Sequence, residues 1–153
     1  MKLRFSCMPF SSLTNTELYE ILALRQEVFV VEQNCPYQDA DGKDQDSWHL
    51  MAYSEDDVLV AYTRLLPPGL DYADYSAIGR VITRSTVRGT GAGKSLMKKS
   101  MELCRFLFGP KPIKIGAQTY LLAFYTALGF NSTGEEYLED DIPHTKMTHH
   151  FEE

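Results

Sequence analysis

The sequence predicts one domain, residues 1–153, of the α/β (α+β) class with a mixed β-sheet. Two properties support this prediction: a length of 153 residues, and 44% hydrophobic with 24% charged residues. A chain of this size and composition can bury one core without disulfides or metals. A third is the order of patterns along the chain, in which short strand-like runs alternate with longer helical ones. Strands separated by helices favour a sheet with helices packed against it.

The first half of the chain contains one helix among strands. A capping box at Thr14 and Glu17 marks the helix start, and apolar residues then recur at helical spacing. The region from 32 to 47 has no periodicity and contains four Asp, Pro36 and Gly42, which predicts a loop. In chain order, the predicted elements are an edge strand at 2–6, a helix at 15–31, a loop at 32–47, and strands at 48–53 and 58–66.

The second half alternates strands and helices more regularly. An apolar run leads directly into a glycine-rich segment, and a long helix face follows it. Pro110 and Pro112 bracket the end of that helix, and Gly129 stops the next one. The predicted elements here are a strand at 77–83, a helix face at 96–107, a strand at 113–117, a helix at 119–128, and strand-like pieces after Phe130.

Charge and cysteine content narrow the class of protein. A net charge of −6 disfavours a protein that coats nucleic acid or an anionic membrane. No apolar run reaches the ~18 residues of a membrane span, and the first residues lack a signal-peptide pattern. The cysteines (Cys7, Cys35 and Cys104) lie far apart. They predict reduced thiols in a cytoplasmic protein.

The most informative segment is the glycine-rich stretch 88–95, which lies between a predicted strand and a predicted helix. It reads Arg88-Gly89-Thr90-Gly91-Ala92-Gly93-Lys94-Ser95. Glycines permit a tight turn and a close approach of the backbone to a ligand. The free amides at a helix start, together with two basic side chains, make an anion site. Phosphate binding is the favoured interpretation, and a plain glycine-rich connection is the alternative.

Two common phosphate motifs fail at single residues. The nucleoside-triphosphate loop needs glycine at position 88, which is Arg88, and the dinucleotide fingerprint needs glycine at position 94, which is Lys94. The segment does match [QR]-x-x-G-x-[GA]. In that pattern it resembles the pyrophosphate cradle of the GNAT family of N-acetyltransferases, which bind acetyl-CoA.

Further segments extend the resemblance to nearly the whole chain. Gln118 follows a predicted strand where the family commonly has Asn, and Tyr125 begins the family's Tyr-x-x-x-Gly-Phe helix end. Residues 24–39, 78–82, 116–118 and 139–144 resemble the ElaA-like branch of this family. The resemblance implies a mixed, mostly antiparallel sheet that is splayed at its centre, with helices on both faces. It also implies direct transfer of an acetyl group from acetyl-CoA to a primary amine of unknown identity, a small molecule or a peptide.

The resemblance implies a set of residues that bind acetyl-CoA. The backbone of one strand would hold the pantetheine arm, the glycine cradle would hold the pyrophosphate, and an amide side chain would follow the next strand. These residues are Val81, Ile82, Thr83, Arg88, Gly89, Thr90, Gly91, Ala92, Gly93, Lys94, Ser95 and Gln118. No metal is expected, because His149 and His150 are adjacent on a predicted strand and would point to opposite faces.

The resemblance also implies the catalytic groups. Tyr125 is the expected acid, because a phenol of pKa ~10 keeps its proton at pH 7 and can donate to a thiolate. The acceptor amine needs a base, and Glu32 and His144 are the candidates. His49 beside Trp48 is more typical of a structural histidine. A chain of water molecules leading to one of these groups is a further alternative to a dedicated base.

Two matters stay open in the sequence. The rival function is an acyl-CoA-binding module that is non-catalytic or regulatory. The acidic residues at 39, 41, 44, 46 and 135–141 are typical of a solvated surface. If some of them line the acceptor site, they would favour a cationic amine. Homodimers are common in the family, so a homodimer is expected by analogy.

Overall fold

The computed structural model describes residues 2–152. Met1 and Glu153, the two ends of the predicted domain, lie outside the described residues. The described part forms one sheet, whose strands are β1 (Arg4–Pro9), β2 (Trp48–Tyr53), β3 (Leu59–Leu66), β4 (Ser76–Thr83), β5 (Ile113–Gln118), β6 (Asn131–Glu139) and β7 (Ile142–His149). The α-helices are α1 (Asn15–Arg25), α2 (Ala92–Phe108) and α3 (Leu122–Ala127). The predicted α/β class with a mixed sheet is confirmed.

The strands follow the order β1-β2-β3-β4-β5-β7-β6. All neighbours are antiparallel except β4 and β5, which run parallel. Only Ser76 with Ile113 and Ala77 with Lys114 pair between those two strands. Beyond these pairs the strands separate, so the expected splay at the sheet centre is confirmed.

Helices pack on both faces of the sheet, as expected. Alternation along β2 divides its side chains between two cores. Met51 and Tyr53 pack with Ile21 of α1 on one face, whereas Leu50 packs with Leu96 of α2 on the other. The helices α1 and α2 therefore cover opposite faces of the sheet, and β4 and β5 separate at its centre.

The first predicted helix changes its winding before it ends. The capping box is present, because Thr14 Oγ1 accepts from the Glu17 amide at 3.1 Å and the Glu17 carboxylate accepts from the Thr14 amide at 2.8 Å. The α-helix then ends at Arg25, and Gln26–Glu32 continues as a π-helical segment. The predicted helix at 15–31 is therefore two helical segments with different winding.

Other boundaries move by a few residues. The predicted edge strand at 2–6 is β1, shifted towards the C-terminus and located at one edge of the sheet. The predicted helix at 119–128 begins with a 3-10 turn, Thr119–Leu121, and becomes α-helical as α3. Gly129 ends it with φ +100°, which glycine adopts without steric cost. Within the described chain, no helix is long and apolar enough to cross a membrane.

Candidate active site

A cleft of about 1100 Å³ opens where β4 and β5 separate. Past Ala77, the edge of β4 that faces β5 has no partner strand among residues 2–152, because β4 and β5 pair only at their first two residue pairs. Unpaired strand backbone offers amide and carbonyl groups to an extended ligand. The cleft therefore combines free backbone with the side chains of several elements.

The glycine-rich segment forms one end of this cleft. Gly89 and Gly91 have φ of +81° and +86°, in the left-handed region that favours glycine. Gly91 is the N-cap of α2, and no side chain caps the helix there. The first amides of a helix have no partner within the helix, so the start of α2 offers donors to an anion. These residues fit a pyrophosphate, because the amides are uncapped and Gly91 has no Cβ to obstruct the approach.

Arg88 is bonded to protein groups beside the cradle. Its guanidinium donates to the Thr83 carbonyl from Nε at 3.0 Å and from Nη2 at 2.8 Å. Nη2 also contacts the Glu32 carboxylate at 2.6 Å. Arg88 thus links the end of β4 to the π-helical segment, and Glu32 partly neutralises its charge. Lys94, in the first turn of α2, forms no ion pair with any residue from 2 to 152.

Tyr125, on α3, lies in the same cleft. Its ring is buried and packs edge-on against Phe124 and Phe130, with centroids 5.1 and 6.0 Å away. Burial raises the pKa of Tyr125 to about 12. Its hydroxyl makes no hydrogen bond to the protein groups that the structure describes. The phenol is therefore a protonated donor whose partner has to come from the cleft.

His144 also lines the cleft and is buried. Its Nδ1 lies 2.7 Å from the Ile142 carbonyl, and its Nε2 lies 3.3 Å from the Glu139 carboxylate. A carbonyl only accepts, so Nδ1 carries a hydrogen, and Nε2 of the neutral ring is free to accept a proton. His49 is bonded to the Tyr62 hydroxyl and the Asp44 carbonyl, outside the cleft lining.

The cleft brings together many of the residues singled out from the sequence. Its lining includes Tyr125, Glu32, His144, Val81, Thr83, Arg88, Gly89, Gly91, Gly93, Lys94 and Gln118. Four other predicted acetyl-CoA residues do not line it. The side chains of Ile82 and Ala92 are buried in the cores. The Thr90 hydroxyl bonds to the Val87 carbonyl, and Ser95 lies on the exposed side of α2.

Two acidic residues of the loop before β2, Asp39 and Asp44, are buried, which corrects the expectation of a solvated surface for those two. The other acidic positions, 41, 46 and those within 135–141, are exposed as expected. Asp39 and Asp44 are both only 7% exposed. Arg25, which is fully buried, contacts Asp39 at 2.6 Å and Asp44 at 2.8 Å. Arg64 contacts Asp44 at 2.9 Å and both oxygens of Asp41 at 2.8 Å. Three carboxylates thus hold the loop to α1 and β3, and the arginines neutralise their charge.

Sequence reasoning missed a group of cationic and aromatic residues that line the cleft. Arg80, Lys114, Lys146, Tyr72 and Tyr137 line it, and none was singled out as a site residue. One signal was available for Lys114: it alternates with the apolar residues Ile113 and Ile115, so it faces away from the core. Nothing in the sequence pairs it with Lys146, because their proximity depends on the register of β5 and β7.

No cluster of His, Cys, Asp or Glu among residues 2–152 could hold a metal ion. Comparison with known proteins then gives a consistent result. A family model described as "Acetyltransferase (GNAT) domain" matches residues 15–151. Protein ElaA of Escherichia coli is 45% identical over 139 residues, which cover 90% of each chain.

Solved structures agree with this match. The crystal structure of Escherichia coli ElaA superposes with a TM-score of 0.89 at 41% identity, covering 97% of this chain and 99% of that one. An acyl-CoA N-acyltransferase from Pseudomonas aeruginosa superposes with a TM-score of 0.88 at 43% identity, covering 95% of this chain and 99% of that one. Both likenesses extend over the strands and helices that form the cleft.

Proposed function

The chain belongs to the GNAT acetyltransferase family and is ElaA-like, and from that premise we propose that it is an N-acetyltransferase that uses acetyl-CoA to acetylate a primary amine directly. Acyl-CoA-dependent acetyl transfer is the general activity of the family. One observation carries the finer proposal: a single cleft contains both an anion cradle and an unpartnered phenol. A coenzyme with a pyrophosphate at one end and a thioester at the other needs both features.

The start of α2 would hold the pyrophosphate. The amides of Ala92, Gly93 and Lys94 occupy the first turn, and the Lys94 ammonium adds a charge. The backbone of Val81, Ile82 and Thr83 would bind the pantetheine arm along the unpaired edge of β4. A backbone amide there can also donate to the carbonyl oxygen as negative charge develops on it. Acetyl-CoA supplies the activated thioester.

Tyr125 would stabilise the departing sulfur. Its pKa of about 12 keeps the hydroxyl protonated throughout the neutral range. A thiolate of ordinary pKa ~8.5 is a weaker base than the phenolate, so complete proton transfer from Tyr125 is uphill. We therefore assign to Tyr125 the role of a hydrogen-bond donor to the thiolate, with the proton remaining on the phenol.

His144 is the better of the two proposed bases. An alkylamine has a pKa of ~10.4 and attacks only after it loses a proton. The Nε2 of His144 carries a lone pair when the ring is neutral, and it lies in the cleft 3.3 Å from the Glu139 carboxylate. Glu32 is bound to Arg88 at 2.6 Å, so its role as base would require that contact to break.

Tyr125→Phe distinguishes this function from the rival one, an acyl-CoA-binding module without catalysis. An N-acetyltransferase is expected to lose turnover by about 10–100-fold, because a hydrogen bond to a charged group is worth about 1.5–3 kcal/mol, while acetyl-CoA affinity stays within about twofold. Tyr19→Phe, on the exposed surface of α1, is the control. Binding of acetyl-CoA without turnover of any amine by the unmodified protein would instead support the module.

We place the activity in the cytoplasm. Cys7, Cys35 and Cys104 are all unpaired thiols. Free cysteines are typical of proteins that work in a reducing compartment. Fractionation of cells that express the protein, followed by detection in each fraction, tests this assignment.

A further inference from the structure

Two lysines lie on the face of β5 and β7 that lines the cleft. Lys146 of β7 pairs directly with Gly116 of β5, and Lys114 lies two residues before Gly116. Residues two apart in a strand share a face. A Cβ at position 116 would overlap the Tyr137 hydroxyl, so the glycine lets this tyrosine lie over the strand. Lys114, Lys146 and Tyr137 therefore form one surface inside the cleft.

Tyrosines position the two ammonium groups. Both Lys114 Nζ and Lys146 Nζ lie 4.9 Å from the centroid of the Tyr72 ring. Lys146 also donates to the Tyr72 hydroxyl at 2.7 Å and lies 4.5 Å from the Tyr137 ring. Lys114 lies 5.5 Å from the ring of Tyr75. Aromatic faces attract cations without carrying a charge of their own, so the lysines are held in place but keep their positive charge.

Other cations on this side of the cleft are already neutralised. Arg64 is paired with Asp41 and Asp44, Arg80 with Asp39, and Lys43 with Asp71. Neither Lys114 nor Lys146 has a carboxylate within 4.0 Å among residues 2–152.

Nearby groups leave that positive charge in place. Asp140 lies on the β6–β7 turn near Cys35. It forms no ion pair with either lysine. Burial acts to lower the pKa of Lys146, but the hydroxyls of Tyr72 and Tyr137 outweigh it and the pKa is raised. Lys146 is therefore charged at neutral pH.

We infer that the acceptor is a small primary amine that also carries an anionic group, a carboxylate or a phosphate, and that Lys114 and Lys146 bind this group. The inference rests on the proposed function, because it identifies the second substrate of the same cleft. It departs from the expectation of a cationic acceptor, since Asp39, Asp41 and Asp44, which were candidates to attract such an amine, are bound to arginines. Glu139 and Asp140 also line the cleft and have no arginine partner among residues 2–152, so spermidine is included in the test below. Two ammonium donors at a partly buried site match an anion with several acceptor oxygens.

The test uses pairs of amines that differ only in the anion. L-Amino acids are compared with their amides, and O-phosphoethanolamine with ethanolamine; spermidine represents a cationic amine. We expect kcat/KM for the anionic member of the preferred pair to exceed that of its neutral partner by at least about tenfold. Whether the amino acids or the phosphate ester show the larger ratio identifies the anion as carboxylate or phosphate.

Variants connect the preference to the two lysines. Lys114→Gln combined with Lys146→Gln is expected to reduce the ratio to below about threefold, mainly through KM, while acetyl-CoA affinity is unchanged. Lys146→Arg keeps a charge and is expected to retain most of the preference. Lys98→Gln, on the exposed face of α2, is the control. Thermal unfolding of each variant shows whether it is folded.

The possible results are distinguishable. Equal turnover of the anionic and neutral members in both pairs, a preference for spermidine, or an unchanged ratio in the folded double variant would each overturn the inference while the acetyltransferase function stands. Failure of the protein to bind acetyl-CoA, or to acetylate any amine in the panel, would overturn the proposed function and the inference with it.

Discussion

Replacing Asp44 by Asn tests whether the buried ion pairs hold the loop before β2, whose residues Asp41 and Lys43 line the cleft. Asp44 Oδ1 accepts from Arg25 at 2.8 Å and from Arg64 at 2.9 Å. Arg25 is 0% and Arg64 3% exposed, so both would keep a buried charge with fewer counter-charges. Removing one partner of a buried pair costs about 3–5 kcal/mol. Asn keeps an acceptor oxygen, so we expect the lower end, about 3 kcal/mol of unfolding free energy.

The effect is large enough to measure by calorimetry and by urea unfolding. A loss of about 3 kcal/mol corresponds to a fall in Tm of about 6–12 °C for a domain of this size. Asp46→Asn, on the exposed side of the same loop, is the matched control and is expected to stay within about 0.5 kcal/mol. A loss from Asp44→Asn no larger than that of the control would refute the claim that these pairs fix the loop.

Acid should weaken the attachment of the same loop by protonating Asp44. Burial raises the pKa of Asp44, but the hydrogen bonds from Arg25 and Arg64 outweigh it and hold the pKa below its ordinary value. A lowered folded pKa contributes stability that is present above the unfolded pKa of ~3.9 and is lost as the pH falls through the folded value. The comparison of Asp44→Asn with the unmodified protein is therefore made at pH 7, where the carboxylate is charged.

Two further predictions concern His49 and the cradle. Burial lowers the pKa of His49, so the unfolded chain takes up its proton first and the protein loses stability as the pH drops below ~6.5. His49→Gln is expected to be less stable at pH 7 by about 1–3 kcal/mol and to lose less unfolding free energy between pH 7 and 5 than the unmodified protein. Equal pH dependence of the two proteins would contradict this. A Cβ on Gly93 would meet Phe124 at 3.7 Å and Thr83 at 3.8 Å, which are ordinary contacts. Gly93→Ala is therefore expected to keep its affinity for acetyl-CoA and to gain up to about 1 kcal/mol of unfolding free energy. A loss of affinity beyond about tenfold would show that position 93 contacts the coenzyme through its Cα.

Local patterns in the sequence predict much of the fold. Periodicity identifies β5 and α2 within a few residues, because each buries one face and leaves the other more exposed. β2 and β3 are buried on both faces and are identified as short apolar runs. The cradle is predictable for a related reason: Gly89 and Gly91 need left-handed backbone, and a helix start follows directly.

Long-range pairing was not predictable. Asp39 and Asp44 look like surface residues, yet Arg25 and Arg64, which bury them, come from α1 and β3. The switch to π-helical winding after Arg25 likewise leaves no mark in the hydrophobic pattern. The separation of β4 from β5 creates the cleft. It depends on how β4 pairs with β3 and how β5 pairs with β7, and the alternation of residues within a strand does not specify these pairings.

The most direct test of the central claim is calorimetric titration of the protein with acetyl-CoA and, separately, with ATP. We expect acetyl-CoA to bind and ATP to bind far more weakly, because the cradle departs from the nucleoside-triphosphate motif at Arg88. Gly91→Asp is expected to abolish acetyl-CoA binding in a folded protein, since it places a carboxylate at the uncapped start of α2. Unchanged affinity in folded Gly91→Asp, or no acetyl-CoA binding by the unmodified protein, would contradict the assignment of this cleft as the coenzyme site.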